Sequence, residues 1–208
     1  MAKKPDLSSA YSLNTPDDSV RLYGDWADTY DSGFAQDMDY QLPTHVAEAY
    51  VQAGGGGNLL DVGAGTGLVA ERLTRHGIGP IDATDISPEM LEVAGKKELY
   101  RTLFAGDVTA RLDVPDTTYD GIISAGTFTL GHVGPDAFDE LLRIAKPDAL
   151  FAISINVVHF ESAGFRRKLD QLSGSIKALT LPEVAIYGQN SQGEHAQDRG
   201  KIALFRKV

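Results

Sequence analysis

The 208-residue sequence predicts an α/β fold with a parallel sheet covered by helices on both faces. Three observations predict it. From Asn58 onward, apolar runs of strand length alternate with amphipathic stretches of helical period. The first such run, Leu59-Leu60-Asp61-Val62, enters a glycine loop, Gly63-Ala64-Gly65-Thr66-Gly67, that opens a helix. The second run, Pro80 to Asp85, ends in a carboxylate eighteen residues beyond Gly67.

In chain order, residues 1–16 read as a flexible leader, rich in Ser and Thr from Ser8 to Thr15, and residues 17–208 as one domain. Asp17 or Asp18 caps a helix through Tyr30, and Pro43 to Ala53 forms a second. Together, residues 17–53 make a helical cap. Gly54 to Gly57 link into the first strand. Strands are expected near 58–62, 79–84, 101–105, 118–124 and 149–156, with helices near 67–76, 88–97 and 135–145. Ser87 caps the second of these, and Pro88 suits its first turn. After a helix near 160–173, Val184 to Gln189 and Lys201 to Lys207 read as two further strands joined by a polar loop.

The glycine loop is a place where backbone can approach a ligand. Glycine adopts positive φ without a Cβ clash, and the free amides of the following helix carry partial positive charge. A dinucleotide-binding fingerprint requires a third glycine where Leu68 stands, so Gly63-x-Gly65-x-Gly67 departs from that pattern. Asp85 is placed either to hold both hydroxyls of a ribose or to brace its own turn.

Leu60 to Gly67 resembles motif I of the class I S-adenosylmethionine-dependent methyltransferases, and Ala83 to Leu91 resembles the motif that follows it. The similarity continues through Ala105-Gly106-Asp107-Val108 and Tyr119-Asp120-Gly121-Ile122-Ile123, spanning about residues 20 to 156. The Tyr23 to Asp31 segment is similar to the N-terminal cap of small-molecule methyltransferases. Gly131 to Asp136 and Glu140 to Arg143 narrow the resemblance toward methyltransferase-like proteins of the Williams-Beuren-region type. The resemblance implies a Rossmann-like three-layer sandwich, its seven-stranded, mostly parallel sheet ending in an antiparallel strand, and S-adenosylmethionine as cofactor. It also implies site roles. Gly63, Ala64 and Gly65 approach the methionine portion. Asp61 orients the loop or, through water, the ammonium. Asp85 takes the ribose, Ile86 packs on adenine, and Asp107 with Val108 meets its edge; Ser124, at the end of the fourth strand, belongs to the same set. Tyr23, Trp26 and Tyr30 share one helical face, suited to core packing or to cofactor contact. In place of the family's Pro-Gly-Gly before strand 5 the chain has Lys146-Pro147-Asp148-Ala149, which implies a locally different turn at the sheet end opposite the cofactor.

The acceptor side is less defined. Ser124 to His132 occupies the region where acceptors approach in this fold, without the Asn/Asp-Pro-Pro-aromatic tetrad that serves the amino groups of bases. His132 is the candidate general base for a hydroxyl acceptor, since an unperturbed imidazole titrates at about 6.5, or else a loop residue satisfying backbone groups. His159, Tyr187 and His195 are weaker candidates.

Composition bounds the alternatives. The absence of cysteine excludes disulfides and thiolate chemistry, and the five histidines show no metal-ligating spacing. A formal net charge of -10 repels polyphosphate, so nucleic acid is not the expected partner, and Arg166-Arg167-Lys168 reads as a solvated helix face. The chain has neither an apolar run of bilayer length nor the apolar core of a signal peptide, pointing to a cytoplasmic protein without membrane contact. The expected partner is a small-molecule methyl acceptor, and the chain a monomer or homodimer. The competing readings are a nicotinamide-dependent oxidoreductase, disfavoured by Leu68 and the lack of a Tyr-x-x-x-Lys pair, and a non-catalytic S-adenosylmethionine-binding protein.

Overall fold

The computed structural model describes residues 7–11, 13 and 15–208. Strands β1 (Leu59–Val62), β2 (Ile81–Asp85), β3 (Thr102–Ala105), β4 (Tyr119–Phe128) and β5 (Ala145–Asn156) run parallel, in the spatial order β3-β2-β1-β4-β5. The order reverses between β1 and β4, and at such a switch point an α/β sheet opens a crevice at the carboxyl ends of its strands. Beyond β5 the sheet continues with β8 (Arg199–Lys207), antiparallel, and then β6 (Ile176–Thr180) at the edge.

This path contains the expected seven strands and the expected antiparallel last strand, but one assignment is corrected. Of the predicted run 184–189 only Val184 and Ala185 pair with the sheet, within a short eighth strand, β7 (Glu183–Ala185), on β8. Ile186 and Tyr187 instead turn onto Leu42 in a separate apolar cluster. The true edge strand, β6, buries only Ile176, so it carries none of the alternating pattern by which a strand is recognised.

Alternation along the strands divides the core. Leu60, Ile122 and Phe151 pack on one face with Phe138, Leu141, Phe165 and Phe205, whereas Leu59, Ile123 and Ala152 pack on the other with Val46, Tyr50, Val69 and Leu73. The first layer uses α6 (Ala137–Ile144) and α8 (Phe165–Gln171); the second uses α3 (Leu42–Gln52) and α4 (Leu68–Arg75). α5 (Pro88–Gly95) starts as predicted: Ser87 Oγ accepts from the Met90 amide at 3.2 Å and Pro88 stands in the first turn.

The cap differs in detail. Thr15, not Asp17 or Asp18, caps α2 (Pro16–Trp26): its Oγ1 accepts from the Asp18 amide while Asp18 Oδ2 accepts from the Thr15 amide, a reciprocal pair completed by Pro16 at the first helical position. The helix stops at Trp26 and continues as a tight turn, Ala27–Thr29, and a wide π-type turn, Tyr30–Ala35. Within the segment expected as a leader, residues 1–6, 12 and 14 lie outside the described residues; Leu7–Tyr11 is a short helix, α1, with Ala10 buried. At the opposite end of the sheet Asp148 takes φ +65°, the left-handed conformation that Pro-Gly-Gly would have supplied, and Arg206 donates to its carbonyl at 2.9 Å. The basic run is largely paired rather than free: Lys168 meets Asp136 and Asp139, and Arg166 lies 5.5 Å from the Phe160 ring centroid.

Candidate cofactor and acceptor site

The glycine loop leaves β1 with φ of +63° at Gly63, +53° at Gly65 and +93° at Gly67, each in the left-handed region. Gly63 and Gly65 are needed for different reasons. A Cβ on Gly63 would lie 1.9 Å from Thr127 Oγ1, while one on Gly65 would enter open space, where a ligand can approach the backbone. Asp85 fastens the loop from below: Oδ2 accepts from the Gly65 amide at 2.7 Å and Oδ1 from the Ser87 amide at 2.9 Å. Each oxygen keeps a second lone pair for a ligand hydroxyl. Burial pushes the Asp85 carboxyl upward, opposed by the Ser87, Gly65 and Ile86 amides.

Gly63, Ala64, Gly65, Asp85, Ile86, Asp107 and Val108 all line one cavity of about 200 Å³ above the sheet. Asp107 Oδ1 accepts from the Thr109 amide at 2.8 Å, which fixes its turn. The roof is aromatic. Tyr23 stacks on Trp26 with centroids 6.2 Å apart, Trp26 meets Tyr30 edge-on at 5.3 Å, and Tyr30 lies 5.0 Å from Phe34. Tyr23, Trp26 and Tyr30 pack on one another and also border the cavity.

Two predicted contact residues stand behind the wall. Ser124 is fully buried and donates its hydroxyl to the Val62 carbonyl at 2.7 Å, so it holds β4 to the end of β1. Asp61 is also fully buried beneath the loop. Tyr100 donates to its Oδ2 at 2.7 Å, whereas Oδ1 finds no hydrogen-bond partner among the described residues. Burial pushes this carboxyl up to about 7, with the Tyr100 hydroxyl opposing and Asp85 reinforcing the shift.

His132 lies in the cavity wall beside Tyr23. Its Nδ1 is 2.8 Å from the Leu130 carbonyl, which only accepts, so the network assigns the proton to Nδ1 and leaves Nε2 to accept from the Tyr23 hydroxyl at 2.9 Å. Burial lowers the imidazole's affinity for a second proton, the Leu130 carbonyl opposes this, and His159 adds a smaller lowering. Of the other histidines, His159 bonds the Val133 carbonyl through Nε2 at 3.0 Å, and His195 pairs with Asp198.

Several lining residues carried no sequence signal: Tyr11, Phe34 and Tyr40, and Asn156 at the tip of β5. Tyr187, a weak candidate, belongs to the wall, bridged to Tyr40 by an isolated antiparallel pair. The far wall is built by Ile186 and Tyr187, while α7 (Val157–Ser162) and α8 cover the sheet rather than the cavity.

Residues 60–153 match the methyltransferase domain family. The human methyltransferase-like protein 27 is 30% identical over 153 residues, covering 71% of this chain and 62% of that protein. The bifunctional biotin biosynthesis protein BioHC of Teredinibacter turnerae is 32% identical over 175 residues, covering 74% of this chain and 30% of its own length. The chain thus spans less than two thirds of either relative. Among solved structures, the cyclase SpnF superposes with a TM-score of 0.69 at 18% identity, covering 94% and 96% of the two chains. The TehB-like methyltransferase of Corynebacterium glutamicum superposes with 0.59 at 20%, covering 93% and 100%.

The fold, the glycine-loop motif and the domain matched over residues 60–153 are those of the class I S-adenosylmethionine-dependent methyltransferases, and S-adenosylmethionine is the cofactor of that class. Within the class, the likeness to a methyltransferase-like protein extends over most of this chain. The residues present fit the cofactor. Its sulfonium and ammonium outweigh its carboxylate, and the only charged side chains among the described lining residues are Asp85 and Asp107. The orphaned Asp61 Oδ1 and Thr84 Oγ1 lie on the two strands that end beneath the loop. A pyrophosphate would meet two carboxylates and no Lys or Arg among these residues.

Proposed function

We propose that this protein transfers a methyl group from S-adenosylmethionine to an oxygen, nitrogen or sulfur nucleophile of a small molecule. The observation that carries this reading is the single roofed cavity that joins the Gly63–Gly67 loop and Asp85 to an aromatic chamber ending at Tyr187. When bound, the cofactor supplies an electrophilic methyl on a positively charged sulfur. The protein's part is to hold the two reactants in line, exclude water and accept a proton. Gly63, Ala64 and Gly65 offer backbone to the methionine portion; Asp85 takes the ribose; Ile86, Asp107 and Val108 surround the adenine; Tyr23, Trp26 and Tyr30 roof the sulfonium. His132, neutral and with Nε2 free of a proton, is the candidate base. Ser124 and Asp61 act from behind, through Val62 and the loop.

This reading treats the protein as a cytoplasmic monomer or homodimer that acts on neither nucleic acid nor membrane. No described helix is long and apolar enough to cross a membrane. A second reading, cofactor binding without methyl transfer, is favoured by SpnF, a cyclase on the same fold. Calorimetric titration with S-adenosylmethionine, S-adenosylhomocysteine and NAD is the direct test. Micromolar binding of the first two alone supports the cofactor assignment; binding of NAD alone overturns it. Transfer to no acceptor despite tight binding leaves the second reading standing.

A further inference from the structure

Five of the eight tyrosines in the chain, Tyr11, Tyr23, Tyr30, Tyr40 and Tyr187 among them, border this one cavity. Phe34, Tyr40 and Tyr187 form a triangle with centroids 5.6, 6.2 and 6.0 Å apart, presenting ring faces and edges rather than charge. Asp85 and Asp107 stand at the ends of β2 and beyond β3, on the cofactor side, and no Lys or Arg lies among the described lining residues. Asp198, the carboxylate behind Tyr11, is already engaged by the Tyr11 hydroxyl at 3.2 Å and by His195 Nδ1 at 3.1 Å. An acceptor bearing a carboxylate or phosphate would find no counter-charge from the described lining residues, and a buried unpaired charge is costly. A cationic acceptor would find ring faces but no free carboxylate, in surroundings that already disfavour a protonated His132.

Resting on the methyl-transfer reading above, we propose that the acceptor is a neutral aromatic hydroxyl compound, a phenol, whose proton leaves through the Tyr23 hydroxyl to Nε2 of His132. Tyr23 stands at the seam of the two halves, interacting with Asp85 on the cofactor side and with Tyr11 on the other. As the phenolic oxygen forms its bond to the methyl carbon, the carbon–sulfur bond breaks, its electron pair stays on sulfur, and the sulfonium becomes a thioether. The acceptor's proton passes to the Tyr23 oxygen while Tyr23's own proton passes to Nε2, and the imidazolium releases a proton to water once the ether departs. The titratable groups around this pair are Tyr11 on α1, Tyr30 and Tyr40 of the cap, Asp85 on β2 and His159 on α7.

The full-length protein saturated with S-adenosylhomocysteine is titrated with 2-naphthol, 2-naphthoate and 2-naphthylmethylammonium. Failure of S-adenosylhomocysteine itself to bind defeats the methyltransferase reading at the first step. Given that binding, 2-naphthol is expected to bind at least tenfold more tightly than either charged analogue. Equal or tighter binding of a charged analogue, or binding of none, overturns the proposal. A second measurement isolates the relay: methyl-ether formation from 2-naphthol is expected to be flat from pH 7 to 9 in the wild type. In Tyr23→Phe, compared with wild type at saturating cofactor and naphthol, the rate is expected to fall and then climb about tenfold per pH unit as the free phenol ionises. No ether from bound naphthol, or an unchanged pH profile in Tyr23→Phe, overturns the relay.

Discussion

Tyr100 donates its hydroxyl hydrogen to Oδ2 of Asp61 at 2.7 Å, and the other oxygen of that carboxyl, sealed beneath the glycine loop, has no partner among the described residues. In the free protein this half-satisfied group favours its neutral form, and burial accordingly raises it from 3.8 to about 7. The stability it confers is complete below the unfolded value of 3.8 and is lost as pH rises through about 7.

Asp61→Asn, which mimics the neutral carboxyl, is therefore expected to raise the melting temperature of the ligand-free protein more at pH 8 than at pH 5. The same variant is expected to bind S-adenosylmethionine more weakly at pH 8, since it removes a negative charge beneath a cationic ligand. Differential scanning calorimetry at the two pH values checks the first statement; an equal shift at both would mean that Asp61 is not the titrating group.

The legible parts of the molecule were those where backbone geometry dictates residue type. Left-handed conformations demanded Gly63 and Gly65, and the start of α5 demanded Ser87 and Pro88, so loop, strand end and cap could be located without coordinates. The cavity roof followed no such rule. Tyr11, Tyr40 and Tyr187 come from segments remote in sequence, and the isolated bridge between Tyr40 and Tyr187 leaves no periodic trace. Tyr23 and His132 carry separate sequence signals, one for cofactor contact and one for proton transfer; that they share a hydrogen bond across 109 positions is information only the fold supplies. Ser124 stands behind the wall because the irregularity between Ser124 and Phe128 puts Ala125, Gly126 and Thr127 into the lining.

Gly63 and Gly65 separate stability from binding. Gly63→Ala forces a methyl into the Thr127 side chain in addition to an unfavourable φ, and is expected to destabilise the fold well beyond the roughly 1–2 kcal/mol of the left-handed backbone penalty. Gly65→Ala incurs only that backbone cost, yet its methyl projects into ligand space, so the larger loss is expected in cofactor affinity. Thermal melts and calorimetric titration of both variants test the contrast, and the reverse ranking would show that the open space beside Gly65 is not used.

One carboxylate of the cap is tied both to the loop and to a neighbouring cation. Asp31, in the π-type turn, accepts from Thr66 of the glycine loop and, at 2.6 Å, from Lys97, which also pairs with Glu71 on α4. The network is partly exposed, so Asp31→Ala is expected to change stability by less than about 1 kcal/mol. Freed from Thr66, the roof should open more often, and stopped-flow dissociation of S-adenosylhomocysteine is expected to quicken several-fold. Wild type in about 1 M salt, where the screening length falls to about 3 Å, should move toward the variant. An unaltered dissociation rate in Asp31→Ala would show that the cap opens independently of this tie.

Asp85 poses the sharpest test of the cofactor assignment because its two jobs differ in energy. Asp85→Ala leaves the Gly65 and Ser87 amides without their acceptor, but it also removes a carboxyl whose ionised form burial penalises. Its folded value is raised, so that penalty grows as pH rises, and at pH 8 the two contributions oppose each other. Ligand-free stability is expected to change by no more than about 1 kcal/mol, with the variant comparing more favourably at pH 8 than at pH 5. Cofactor affinity has no such compensation: losing a charged acceptor for ribose hydroxyls is expected to cost about 1.5–3 kcal/mol. Titrating S-adenosylhomocysteine into wild type and Asp85→Ala at pH 8 reads the difference directly, and equal affinities would put the ribose outside the reach of β2.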